Sequence, residues 1–141
     1  MRYNLSCVIL GLLLCTLHAA GQTRRDVQIV VDSIPRECVV SIPSSTPPPG
    51  GWPMVIMFHG TTGDGEKFYS ISGWKEKGAA ENFVTVFPSS LAYRFYDDTV
   101  GTQIARVTKW NCGESVEKLV AGQTMKDDVR FVRIMLDTIA A

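Results

Sequence analysis

The chain has 141 residues, 14 basic and 14 acidic side chains and hence no formal net charge, and 45% of it is apolar. That length suits a single domain in the usual range of about 100–200 residues. The charge balance leaves no basic stripe for a nucleic-acid backbone and no acidic tail for a cationic partner, and neither an internal repeat nor a heptad pattern is visible.

The N-terminus has the layout of a secretory signal peptide over residues 1–21. Arg2 supplies a positive charge, Leu5 to Leu17 is an apolar stretch too short to span a bilayer as a helix, and Ala19, Ala20 and Gly21 offer a small-residue cleavage site. Leu14 before Cys15 argues against a lipoprotein signal, and the polar "GQTRRD" that follows argues against a buried N-terminal helix. The chain is therefore expected to be secreted, extracellular or periplasmic, with no stable membrane span once the leader is removed. Export removes Cys7 and Cys15 and leaves Cys38 and Cys112 in an oxidising compartment. These two either form a bridge or stand free, and the sequence leaves both open.

Next in order, "DVQIVVD" (Asp26 to Asp32) alternates and "RECVVSIP" (Arg36 to Pro43) is rich in β-formers, which predicts an antiparallel start to a sheet. "SSTPPPGGWP" is a turn or short loop. "MVIMF" (Met54 to Phe58) is a continuous apolar run, as expected of a strand covered on both faces. Lys67 to Asn82 predicts a short helix with a break, and "FVTVFP" (Phe83 to Pro88) a second buried strand. Ser89 to Gln123 reads as a long irregular segment, with Asp97 and Asp98 as solvated turn residues. Met125 to Ala141 predicts a helix, with Thr124 and Asp127 spaced like a capping box and Asp127 and Asp128 placed where a helix dipole favours carboxylates. Strand, helix, strand, irregular stretch and helix together predict the beginning of a parallel α/β sheet and the front part of a larger fold.

The stretch "PMVIMFHGTTGDGEKF" carries the chemistry. Gly60 and Gly65 have the spacing of a phosphate-binding loop, but Glu66 stands where lysine is required and Phe68 lies beyond Lys67 where a hydroxyl is wanted. An acid there repels a polyphosphate. The alternative is an oxyanion loop, which requires only main-chain N–H groups aimed at one spot beyond a strand end. His59, Gly60, Thr61 and Thr62 are the candidates: Gly60 permits the tight bend, Thr61 and Thr62 carry the N–H groups that face the site, and His59 is read as support for the loop because no nucleophile and orienting carboxylate accompany it. A plain strand-to-helix turn is the competing reading. Trp110 in "KWNC" either lines a substrate pocket or packs its loop onto the domain. Gly-x-Ser-x-Gly occurs nowhere in the chain.

In order and spacing, "VSIP", "WPMVIMFHGTTGDGEKFYSISGWKEKGAAENFVTVFP", the tryptophan of "KWNC" and "DDVRFVRIMLDTI" resemble the polyhydroxybutyrate depolymerase and feruloyl esterase family of secreted α/β-hydrolases, over Arg36 to Ala141. The resemblance implies that residues 22–141 are the N-terminal portion of an α/β-hydrolase domain, an incomplete three-layer fold with a mostly parallel sheet, cut before the nucleophile elbow. It implies a carboxylic-ester substrate (a polyester, or an aryl or acyl ester of plant cell-wall type), a Ser-Asp-His mechanism, and no metal or organic cofactor. The triad itself is absent, so the chain alone is expected to be inactive. A peptidase of the same fold and a noncatalytic secreted binding protein are the alternatives.

Overall fold

The computed structural model describes residues 21–96, 104–113 and 118–140. The expected leader up to Ala20, with Cys7 and Cys15, lies outside them, as do Asp97 and Asp98.

The chain opens with a long hairpin, β1 (Gln22–Val31) and β2 (Ile34–Pro43), in register from Gln22 opposite Pro43 to Val31 opposite Ile34. Its two-residue turn puts Asp32 at φ 50° and Ser33 at φ 64°. Positive φ at both central positions is the type I′ geometry whose twist matches the flanking strands. The chain then forms β3 (Met54–Ile56), α1 (Gly65–Ile71), α2 (Trp74–Glu81) and β4 (Val84–Pro88). This helical crossover returns β4 parallel to β3, with Met54 opposite Val84. Because β4 also pairs antiparallel with β2, the sheet order is β1-β2-β4-β3.

The expected three-layer, mostly parallel sheet is not found. The described residues form two small sheets, one mixed and one antiparallel, with three short helices, and among them only β3 and β4 run parallel. The physical reason is that the tight Asp32–Ser33 turn can only join antiparallel strands, and the helical crossover occurs just once among the described residues. The second sheet is a hairpin of β5 (Ala92–Tyr96) and β6 (Ile104–Thr108), inside the segment expected to be irregular. Tyr93 and Phe95 are buried there while Arg94 and Tyr96 are exposed.

Alternation along the strands divides the side chains. Val40, Val84 and Val86 join Phe131 and Met135 of α3 (Asp128–Ala140) in the main core. Each of these large apolar groups contributes about 1.5–3 kcal/mol by leaving water. On the other side of β4, a Cβ on Gly78 of α2 would meet the Thr85 methyl, and Tyr69 of α1 packs edge-on against Phe87. The helices stop and start where local chemistry dictates. Asp64 caps α1 by accepting from Lys67 N–H at 2.7 Å, and Asp127 caps α3 by accepting from Arg130 N–H at 2.9 Å. Gly73 at φ 74° makes the break between α1 and α2. Among the described residues, no helix is long and apolar enough to cross a membrane.

Candidate functional site

Pairing of β3 with β4 continues one residue past the strand, where Met57 N–H donates to Val86 O at 2.8 Å. Phe58 then faces outward and His59 inward, the first half exposed and the second buried. The imidazole is fixed by main chain at both nitrogens. Nε2 accepts from Ser90 N–H at 3.0 Å, and Nδ1 lies 2.6 Å from Gly60 O. A main-chain N–H can only donate, so Nε2 is the acceptor and Nδ1 carries the proton that it donates to Gly60 O. With both nitrogens engaged, His59 has no free atom with which to take a proton from a nucleophile. Ser90 meets the ring through its backbone; its buried hydroxyl has no partner among the described residues.

Beyond His59 the chain turns. Gly63 N–H donates to Gly60 O at 3.1 Å, and Thr62, third of the four residues, stands at φ 67°. This is a type II-like turn, whose third position normally takes glycine. The left-handed residue is therefore Thr62, not Gly60: a Cβ on Gly60 would meet nothing within 4 Å and its φ is not left-handed. Gly63, in contrast, is closely covered, since a Cβ there would sit 2.9 Å from His59 Cβ.

The carbonyls of two successive peptides in this loop are held. His59 O accepts from Trp110 Nε1–H at 2.9 Å, and Gly60 O accepts from the His59 ring and from Gly63 N–H. In a planar trans peptide the N–H points opposite the carbonyl. Clamping these two carbonyls therefore also fixes the N–H groups of Gly60 and Thr61, which have no hydrogen-bond partner among the described residues. Thr62 N–H is engaged: it donates to Thr108 O at 2.9 Å, while Thr108 Oγ1 donates to Gly63 O. Of the residues expected to form the oxyanion loop, Gly60 and Thr61 thus present open donors, His59 supports them, and Thr62 shapes the turn.

Trp110 packs its segment onto the domain, and it also borders an apolar depression. Its indole N–H ties the loop to the domain, and its ring stands 5.1 Å from those of Phe58 and His59. With Phe58, Asp128, Val129 and Val132 it also lines a shallow apolar depression of ≈ 440 Å³ beside the loop. Val129 is 61% exposed there. Asp127 is a helix cap, but Asp128 is more than that. It is buried and pairs with Arg36 Nη2 at 2.7 Å through one oxygen, while its other oxygen accepts from Asn111 N–H at 2.7 Å. Arg36 in turn lies 3.9 Å over the Phe131 ring. Nothing in the spacing of Arg36, Ser90, Thr108 and Asp128 signals these contacts, because they are made between distant segments by the fold itself.

Cys38 and Cys112 are both free thiols, the first buried and the second exposed. Burial, with some help from the charge of Glu37, pushes the Cys38 thiol up to about 11, so it behaves as a small apolar core residue. Among the described residues, no cluster of three His, Cys, Asp or Glu side chains is placed to hold a metal ion.

No protein-family model matches the chain, and no curated protein matches it either.

Proposed function

We propose that the loop from His59 to Gly63 is the oxyanion side of a carboxylic-ester hydrolysis site, in a secreted serine-type ester hydrolase. The observation that carries this reading is the pair of clamped peptides: two carbonyls held from behind, leaving the N–H groups of Gly60 and Thr61 open at a strand end. Donors fixed before the reaction cost no reorganisation when charge develops on a carbonyl oxygen, and one such donor is worth about 10²–10³-fold in rate. An apolar depression lined by Phe58, Trp110, Val129 and Val132 would suit the acyl or aryl part of an ester. His59 is occupied and no Gly-x-Ser-x-Gly is present, so the named residues supply neither nucleophile nor base. They supply binding and charge stabilisation.

A phosphonate monoester, tetrahedral and singly charged, mimics the state these donors would stabilise. Thr61→Pro removes one donor at the second position of a type II turn, where proline's fixed φ is favoured. The substitution is expected to leave folding intact and to weaken binding of butylphosphonate monoethyl ester about 10–100-fold, the worth of one hydrogen bond to a charged group. Equal binding by the variant and the unaltered chain, or no binding by either, would contradict the proposal.

A further inference from the structure

Two sequence stretches that look unrelated, the "KWNC" segment and the start of α3, meet at one carboxylate. Asp128 opens α3 and is 7% exposed, and its oxygens are divided between Arg36 Nη2 and Asn111 N–H. Asn111 directly follows Trp110, whose indole N–H holds His59 O. The carbonyl of His59 belongs to the same peptide unit as Gly60 N–H. A path of hydrogen bonds therefore runs from β2 through Asp128 to the segment carrying Trp110, and from the indole to the peptide that aims Gly60 N–H outward. Asn111 adds a second tie to the same helix start, its Nδ2 donating to Lys126 O at 3.0 Å.

We infer that Asp128 is a positioning residue for the Gly60 donor of the Gly60–Thr61 pair, acting through Asn111 and Trp110, and not only a partner for Arg36. The inference rests on the reading of those two N–H groups as the working part of the loop. A carboxylate is suited to the task because it has two acceptor oxygens and no donor. One oxygen neutralises the buried Arg36, and the other fixes a main-chain N–H in a segment of otherwise irregular backbone. Hydrogen bonds to a charged acceptor are about twice as strong as neutral ones, which suits a bond that must hold a connecting segment in one place. Without the second oxygen, Trp110 keeps its apolar packing, but Asn111 loses its main-chain bond to the start of α3. The indole N–H then holds the His59–Gly60 peptide less firmly.

The role can be separated from that of the ion pair. The double variants R36M/D128N and R36M/D128L both lack the buried charges, and replacing a buried pair together leaves no unpaired ion behind. The difference that bears on Asn111 is the acceptor: the asparagine side chain of the first keeps a carbonyl oxygen for Asn111 N–H and can aim its NH2 group at the Ser89 carbonyl that Arg36 leaves, whereas the leucine side chain of the second offers no acceptor. Amide and indole hydrogen exchange, read by NMR without any ligand, should find the Trp110 indole N–H near its unaltered rate in R36M/D128N. In R36M/D128L it should exchange about fivefold faster, the loss of one net hydrogen bond, and the Gly60 and Thr61 resonances should move only there. Indistinguishable loops in the two variants would overturn the inference. In the unaltered chain the Asn111 amide and the Trp110 indole should exchange together, and independent exchange would overturn it too. Because no ligand enters the measurement, a failure to bind phosphonate leaves this test standing on its own.

Discussion

Thr62 occupies the least comfortable backbone position in the loop. At φ 67° a β-branched residue crowds its own carbonyl, at a cost of about 1–2 kcal/mol that glycine does not incur. Its main-chain N–H donates to Thr108 O, which does not depend on the side chain, and the residue is exposed. Thr62→Gly should therefore remove the strain and, after glycine's greater freedom in the unfolded chain is subtracted, stabilise the protein by about 0.5–1 kcal/mol. Urea denaturation checks this, and a destabilised variant would mean that the Thr62 side chain makes a contact of real worth. Strain kept at such a point is common where a loop must present groups to a ligand. His59 makes the complementary point. Its two ring nitrogens are bound to the backbone of Ser90 and Gly60, so the residue that looks most catalytic in the sequence acts as a bracket.

At the scale of elements, α1 is placed by its first residue. A Cβ on Gly65 would lie 2.1 Å from Phe87 O, and the Gly65 N–H donates to Ser89 Oγ at 3.0 Å. The obstacle is the backbone of a central strand and cannot swing aside. Gly65→Ala should cost about 2–3 kcal/mol through overpacking, measurable as a lower urea midpoint; an unchanged midpoint would mean that α1 sits further from β4 than described. The same elements explain what the sequence reveals by itself. Apolar runs at Met54 and Phe83, the break near Gly73 and the periodic stripe after Asp127 are legible because each is a local pattern, and β3, β4, the α1–α2 break and α3 lie close to where those patterns put them. The hairpin of β5 and β6 is not legible, although Tyr93 and Phe95 alternate with Arg94 and Tyr96, since the period is short and sits within a long stretch of mixed composition. Sheet direction is legible in part: the antiparallel opening pair and the parallel β3–β4 pair follow from local patterns, whereas the antiparallel pairing of β4 with β2, which makes the sheet mixed, joins distant segments and leaves no local mark. At the site, the loop residues are legible as glycine and small residues after a strand. The links from Trp110, Thr108 and Ser90 to that loop are not, because hydrogen bonds across up to 51 residues leave no mark on spacing.

At the largest scale, the described residues form a four-stranded mixed sheet with α3 packed on one set of its side chains and α1 and α2 on the other, and a small hairpin beside it. That frame holds the His59 loop at the end of β3 from three directions: Ser90 after β4, Thr108 at the end of β6, and Trp110 beyond it. The rigidity of the donors is thus a property of the assembled domain and not of the short stretch that contains them. The most direct test of this account follows the main-chain amides of Gly60 and Thr61 by ¹⁵N–¹H NMR while butylphosphonate monoethyl ester is added, with neutral diethyl butylphosphonate as the control. The account predicts that both amide protons move downfield with the anion, saturably and together, and respond only weakly to the neutral ester. Shifts that fall elsewhere in the chain, or that are equal for the charged and neutral compounds, would contradict it.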